Sequence, residues 1–129
     1  MNLLLDTAAF LWLCAGGGQL SPAAAKALAD PAGTPVVSAV TAWEIAIKYA
    51  KGKLKLPSPP AIWFPAMIAH HRLALLTIDA ATAIASTSLP PIHGDPFDRL
   101  LVATAIEQRL CLVTPDRVIP KYPGLRTLW

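Results

Sequence analysis

Short runs of apolar residues alternate along this chain with longer stretches whose apolar positions recur every three or four residues. Leu3-Leu4-Leu5, Val36-Val37-Ser38, Leu75-Leu76-Thr77-Ile78 and Cys111-Leu112-Val113 are too short for helices and too apolar for half-exposed strands. Such runs mark strands buried on both faces of a parallel sheet. Arg126-Thr127-Leu128 is a candidate last strand. Helices are predicted between them. The first spans 7–15 and stops at Gly16-Gly17-Gly18; the second spans 22–29, with Ser21 as N-cap and Pro22 at its first position. A third, 39–51, is closed by Gly52, and a fourth, 61–71, is broken or kinked by Pro65. Asp79 opens a short Ala-rich helix. The strongest pattern is 96–109, where Leu100, Leu101, Ala103, Thr104 and Ile106 give a broad apolar face. Strands alternating with helices predict an α/β fold with a mostly parallel central sheet covered on both faces.

Composition narrows the class. The 129 residues, 54% apolar, fit one domain and can bury a core without disulfides or structural metal. Charged residues make up only 15%, against about 25% in an average protein. Cys14 and Cys111 are far apart and carry no zinc-ligand spacing, so a reducing, cytoplasmic setting is expected. Asp6 interrupts an N-terminal apolar run that holds no Lys or Arg, so no signal peptide is expected. Glycines 16–18 and Pro22 break the longest uncharged stretch, so no membrane span is expected either. The net charge of +3 permits an acidic partner but argues weakly for one.

The placement of the eight acids is more informative than their number. Asp6 and Asp116 each follow a buried-strand pattern, at the strand ends where parallel α/β sheets bind ligands. Glu44 lies in a helix among Trp43, Ile45, Ala46 and Ile47, and Asp95 and Asp98 open the 96–109 helix three residues apart. Each has a plain structural reading. Asp6, Asp79 and Asp95 are good N-caps, Glu44 can pair with Lys48 one turn on, Asp98 suits a helix first turn, and Asp116 can be a turn residue. Four separate segments each placing a carboxylate at a strand end or on an apolar helix strain those readings jointly. Converging carboxylates repel unless a cation intervenes, and an all-oxygen set selects Mg²⁺ or Mn²⁺. Such a site activates water for attack on a phosphodiester, with one ion or two about 3.5–4 Å apart.

The segments Leu3-Leu4-Leu5-Asp6-Thr7, Ser38-Ala39-Val40-Thr41-Ala42-Trp43-Glu44-Ile45, His93-Gly94-Asp95-Pro96-Phe97-Asp98-Arg99-Leu100-Leu101-Val102-Ala103 and Leu112-Val113-Thr114-Pro115-Asp116-Arg117 occur in the order expected of a PIN-domain ribonuclease. More narrowly, nearly the whole chain resembles the VapC-like toxins of VapBC toxin–antitoxin pairs. The resemblance implies a three-layer α/β/α domain over residues 1–129 and a Mg²⁺- or Mn²⁺-dependent endoribonuclease that leaves 5′-phosphate and 3′-hydroxyl ends. It implies an acidic site of Asp6, Glu44, Asp98 and Asp116, with Asp6 and Asp98 as the main metal ligands and Asp95 as an extra acid. It also implies an antitoxin that covers a groove of the toxin.

Lys48, Lys51, Lys53 and Lys55 either follow an RNA backbone or form a solvated helix end, and Arg99, Arg117 and Arg126 are alternative phosphate contacts. The four tryptophans read as core or interface anchors rather than base-stacking platforms, and Trp63-Phe64, beside prolines, is a candidate for exposure. A mean hydropathy of +0.48 favours a homodimer. His70, His71 and His93 are not needed as ligands; His93, near Asp95, is a candidate substrate contact but reads more simply as a loop residue without a role. Two other classes compete with the nuclease. Aspartyl phosphotransfer wants a second acid beside the nucleophile, which Asp6-Thr7-Ala8 lacks; a non-cleaving PIN-like module that binds RNA or a partner is disfavoured by the retained acids. With five acids in one site, only Asp30, Asp79 and Glu107 remain to balance the eleven basic residues, so a basic body surrounds an acidic pocket.

Overall fold

Five strands, β1 (Leu3–Leu5), β2 (Val36–Ser38), β3 (Ala74–Leu76), β4 (Cys111–Val113) and β5 (Arg126–Leu128), make one sheet in the order β3-β2-β1-β4-β5. The structure is a computed structural model describing residues 2–129. All four strand pairings are parallel; Leu3, Leu4 and Leu5 of β1 face Cys111, Leu112 and Val113 of β4, for example. Connections run through α1 (Thr7–Cys14), α2 (Pro22–Ala29), α3 (Ala39–Ala50), α4 (Pro60–His70), α5 (Ala80–Thr87) and α6 (Pro96–Gln108).

The side-chain alternation of the central strands explains their uninterrupted apolar runs. Leu3, Leu5, Cys111 and Val113 point into one core with Phe10, Val37, Ile45, Trp63 and Phe64. Leu4 and Leu112 point into the other, with Val40, Leu101, Val102 and Ile119. Helices thus cover both faces of the sheet, giving the three-layer α/β/α arrangement that the sequence predicted. Trp63 and Phe64 are buried rather than exposed, because both rings pack on Phe10 at centroid distances of 5.8 and 5.3 Å.

The helix ends follow local chemistry. Ser21 and Asp79 cap α2 and α5 by accepting from Ala24 N–H and Thr82 N–H. Gly52, at φ +71°, ends α3, and Lys53 N–H reaches back to Lys48 C=O as in a Schellman turn. Pro65 does not split α4, which runs as one element from Pro60. α6 ends one residue earlier than predicted, since Arg109 adopts the left-handed conformation at φ 55°. A 3₁₀ turn at Ile119–Lys121 was not predicted from the sequence. Among the described residues no helix is long and apolar enough to cross a membrane.

The strand order reverses between β1 and β4. From β1 the chain progresses through β2 to β3 on one side, then crosses to β4 on the other. Such a switch point opens a crevice at the carboxyl ends of the two strands. Asp6 and Asp116 follow those ends, and Asp6 N–H donates to Val113 C=O at 3.0 Å, tying the two together.

Candidate active site

Asp6, Glu44, Lys48, Asp95, Asp98 and Asp116 line a single cleft of about 430 Å³ at this crevice. Each is aimed by the element that carries it. Asp6 is the N-cap of α1, its Oδ1 accepting from Ala9 N–H at 2.8 Å, yet it also lines the cleft. The cap reading holds, and capping does not keep the carboxylate out of the cleft. Burial pushes its carboxyl up to about 6, the Thr114 hydroxyl and Ala9 N–H pull it down, and the charges of Glu44 and Asp116 raise it.

Glu44, in the second turn of α3, is buried at 4% exposure. Its Oε1 accepts from the Thr7 hydroxyl at 2.7 Å, and its Oε2 accepts from the Lys48 ammonium. Thr7 also lies 3.2 Å from the Thr41 hydroxyl. A buried carboxylate is costly unless hydrogen-bonded or paired, and Glu44 is both. The bonded ammonium of Lys48 is held above its usual range, first by the bond to Glu44 and further by the charges of Glu44, Asp95 and Asp98.

Asp95 caps α6, its Oδ1 accepting from Phe97 N–H at 2.8 Å and Asp98 N–H at 3.4 Å, with Pro96 at the first helical position. That cap turns Asp98 into the cleft. Burial, then the neighbouring Asp95 charge, pushes the Asp98 carboxyl up to about 7; His93 lowers it, while Asp6 and Glu44 raise it. Asp116 follows Thr114-Pro115, and its Oδ1 accepts from Val118 N–H at 2.7 Å and Ile119 N–H at 3.2 Å, starting the 3₁₀ turn. Partial burial pulls Asp116 upward, but these two donors and His93 outweigh it and leave the carboxyl below its ordinary value.

Not every predicted residue reaches the cleft. Arg99, expected to contact phosphate, turns away: its guanidinium donates to the carbonyls of Ser86, Leu89, Pro90 and His93 and to the Tyr122 hydroxyl, at 2.9–3.3 Å. It clamps a loop and does not line the cleft. Lys51 is the exposed C-cap residue of α3 and does not line the cleft, nor does the exposed Arg117, although it follows Asp116.

Two contributors were missed by sequence reasoning. Thr7 is the lone hydroxyl in the otherwise apolar Thr7–Cys14 segment and directly follows Asp6, a signal that could have marked it. His93, read as a loop residue without a role, puts Nε2 3.1 Å from Asp116 Oδ2 and 3.5 Å from Asp98 Oδ2. Its signal was its place two residues before Asp95.

The donor chemistry fits a hard divalent cation. Oxygen ligands from four segments converge, and His93, Asp98 and Asp116 offer ligand atoms within 4.8 Å of one another. Asp6 and Asp98 resist ionisation in part because other acids crowd them, a penalty that a cation among them removes.

Comparison with known proteins agrees with this architecture. A PIN-domain family profile matches residues 3–125. The chain is 36% identical to Ribonuclease VapC22 of Mycobacterium tuberculosis, covering 99% of this chain and 98% of that protein. In fold it is similar to VapBC2 from Rickettsia felis, solved bound to a fragment of its promoter DNA. The TM-score is 0.74 at 19% identity, with 99% of this chain and 98% of that one covered. It is also similar to DNA-bound VapBC from Salmonella typhimurium, with a TM-score of 0.72, 19% identity and coverage of 99% and 97%. With a five-stranded parallel sheet, an acid-lined cleft at its switch point and a relative matched along its whole length, this chain belongs to the PIN-domain family, in its VapC-like branch.

Proposed function

We propose that the chain, read as a single domain over residues 1–129, is a divalent-metal-dependent endoribonuclease toxin that a partner antitoxin restrains. The observation that carries this reading is the convergence of Asp6, Glu44, Asp98 and Asp116, from four segments, on one cleft. Its likeness to Ribonuclease VapC22 supports RNA as substrate, and the VapBC assemblies that share its fold support an antitoxin partner. We read the cytoplasm as its setting, and a homodimer as its assembly.

Asp6 and Asp98 would hold Mg²⁺ or Mn²⁺, with Glu44 and Asp116 completing or orienting the ligand set. When bound, the ion supplies Lewis-acid activation of water and of the scissile phosphate. The chain's own groups do the rest. Thr7 and Lys48 fix the two oxygens of Glu44, the Asp95 cap fixes the approach of Asp98, and backbone donors fix Asp116. Lys48, half-exposed at the rim, offers positive charge to an incoming phosphate.

The test is cleavage of total RNA by purified protein with Mg²⁺ or Mn²⁺, with and without chelator, beside Asp6→Asn and Asp98→Asn. The reading requires new 5′-phosphate ends that vanish with chelator and in both variants. Full activity in either variant, or no cleavage with any ion, would overturn it.

A further inference from the structure

We infer that His93 is a positioning residue which, as an N–H donor, holds Asp116 in place beside Asp98, is itself held by Arg99, and is not a metal ligand. The inference rests on the metal-binding part of the proposed function and on the hydrogen bonds around one imidazole ring.

The two acids that His93 meets come from different segments: Asp98 from the first turn of α6, Asp116 from the loop after β4. The ring stands between them, with Nε2 3.1 Å from one carboxylate and 3.5 Å from the other. The opposite nitrogen decides what Nε2 can do. Asp95 N–H donates to His93 Nδ1 at 3.1 Å. A backbone amide only donates, so Nδ1 carries no hydrogen and the ring's hydrogen lies on Nε2, pointing at its hydrogen-bond partner Asp116 Oδ2, with Asp98 Oδ2 beside it at 3.5 Å. A metal-binding imidazole is held in the opposite sense: its far nitrogen donates to a carbonyl or carboxylate and its near nitrogen presents a lone pair. His93 therefore has the pattern of a donor to ligands, although its place beside Asp98 and Asp116 would fit a ligand on distance alone.

The backbone of His93 is fixed as firmly as its ring. Its N–H donates to the Tyr122 hydroxyl at 2.9 Å, and its carbonyl accepts from Arg99 Nη1 at 3.3 Å. The same guanidinium holds Ser86, Leu89 and Pro90 through their carbonyls. Adjacent residues Asp98 and Arg99 thus diverge: one enters the cleft, and the other anchors the loop that brings His93 back to Asp98. A lysine ammonium cannot reproduce that planar fork of donors.

The experiment titrates Mn²⁺ alone into wild type, His93→Ala, His93→Gln, Arg99→Lys and the His93→Ala/Arg99→Lys double variant, with no RNA present. It is joined to pulsed EPR of Mn²⁺ in protein carrying ¹⁵N-labelled histidine. Affinity is expected to fall about 10–100-fold in His93→Ala, the range for lost donors to metal ligands. His93→Gln, which keeps an N–H at the Nε2 position, should recover part of it. Arg99→Lys should weaken binding alone and add little in the His93→Ala background. Wild type should show no nitrogen bound directly to Mn²⁺. A direct nitrogen coupling that His93→Ala removes would make His93 a ligand and overturn the inference. Unchanged affinity in His93→Ala and His93→Gln would overturn it too, and absence of Mn²⁺ binding by wild type would overturn it together with the proposed function. Mn²⁺ binding that depends on His93 without RNA cleavage would overturn only the ribonuclease reading.

Discussion

Lys48 donates to Oε2 of Glu44 across one turn of α3 while facing the charges of Asp95 and Asp98, so the acid-rich cleft contains its own cation. Replacing Lys48 with Met leaves Glu44 buried with one oxygen unpaired. In chelator this should cost about 1–2 kcal/mol, as for an unsatisfied buried acceptor. Saturating Mn²⁺ should shrink the loss, because the ion supplies the missing positive charge. Urea unfolding with and without Mn²⁺ measures both, and equal losses under the two conditions would show that Lys48 does not neutralise the cleft.

Thr7→Val keeps the shape of the side chain and removes the hydroxyl that donates to Glu44 Oε1 at 2.7 Å. A hydrogen bond to a charged acceptor is worth about 1.5–3 kcal/mol. Thermal unfolding of Thr7→Val should show that loss, and Thr7→Ser, which restores the donor, should recover most of it. A Ser variant as unstable as Val would place the effect in packing instead.

The pH dependence of stability has a definite direction in metal-free protein. Asp6 and Asp98 sit near 6 and 7, above the ordinary carboxylate value of 3.8. Between about 4 and 7 these two acids bind more protons folded than unfolded, which raises stability as pH falls and outweighs the opposite contribution of His71, whose imidazole burial and the neighbouring His70 hold below its ordinary value. Melting in chelator should therefore shift up by several degrees from pH 8 to pH 5.5. Asp98→Asn should flatten the trend and melt higher than wild type at pH 8. A wild-type Tm that falls over the same interval contradicts it.

Arg109 ends α6 at φ 55° without the glycine that favours this conformation. Its backbone carbonyl accepts from Arg126, a contact that a glycine retains. Arg109→Gly should stabilise the chain by about 0.5–1 kcal/mol, with RNA cleavage unchanged, since the residue lies at the far end of α6 from Asp98. Equilibrium denaturation tests this, and destabilisation would refute the strain.

The parallel sheet was readable because its central strands are apolar on both faces, a pattern that few other structures produce. The acids were readable for a similar reason: they stand where apolar periodicity makes a carboxylate conspicuous. Arg99 and His93 were not readable. Arginine beside an acid in a helix first turn looks the same whether its guanidinium meets solvent, phosphate or a loop. Only the path of residues 86–93 back over α6 decides it, and that path is a tertiary fact. Arg109 defeated the boundary prediction for a related reason, because no glycine announced the left-handed turn.

Asp6, Asp95 and Asp116 each give one carboxylate oxygen to backbone N–H groups that begin a helix or turn. Half of each side chain is therefore immobilised by folding, before any ion arrives. On the proposed metal-binding reading, the entropy of ordering Asp6 and Asp116, and of aiming Asp98 through the Asp95 cap, falls on the folding reaction and not on binding, so metal capture would start from an organised set. Asparagine, which can also cap, would leave the helix start standing at Asp6 while removing a charge; alanine would remove both at once. On that reading the same atoms link the integrity of α1 and α6 to the affinity of the cleft, and a chain whose helix starts fray would bind metal more weakly with every proposed ligand still in its sequence.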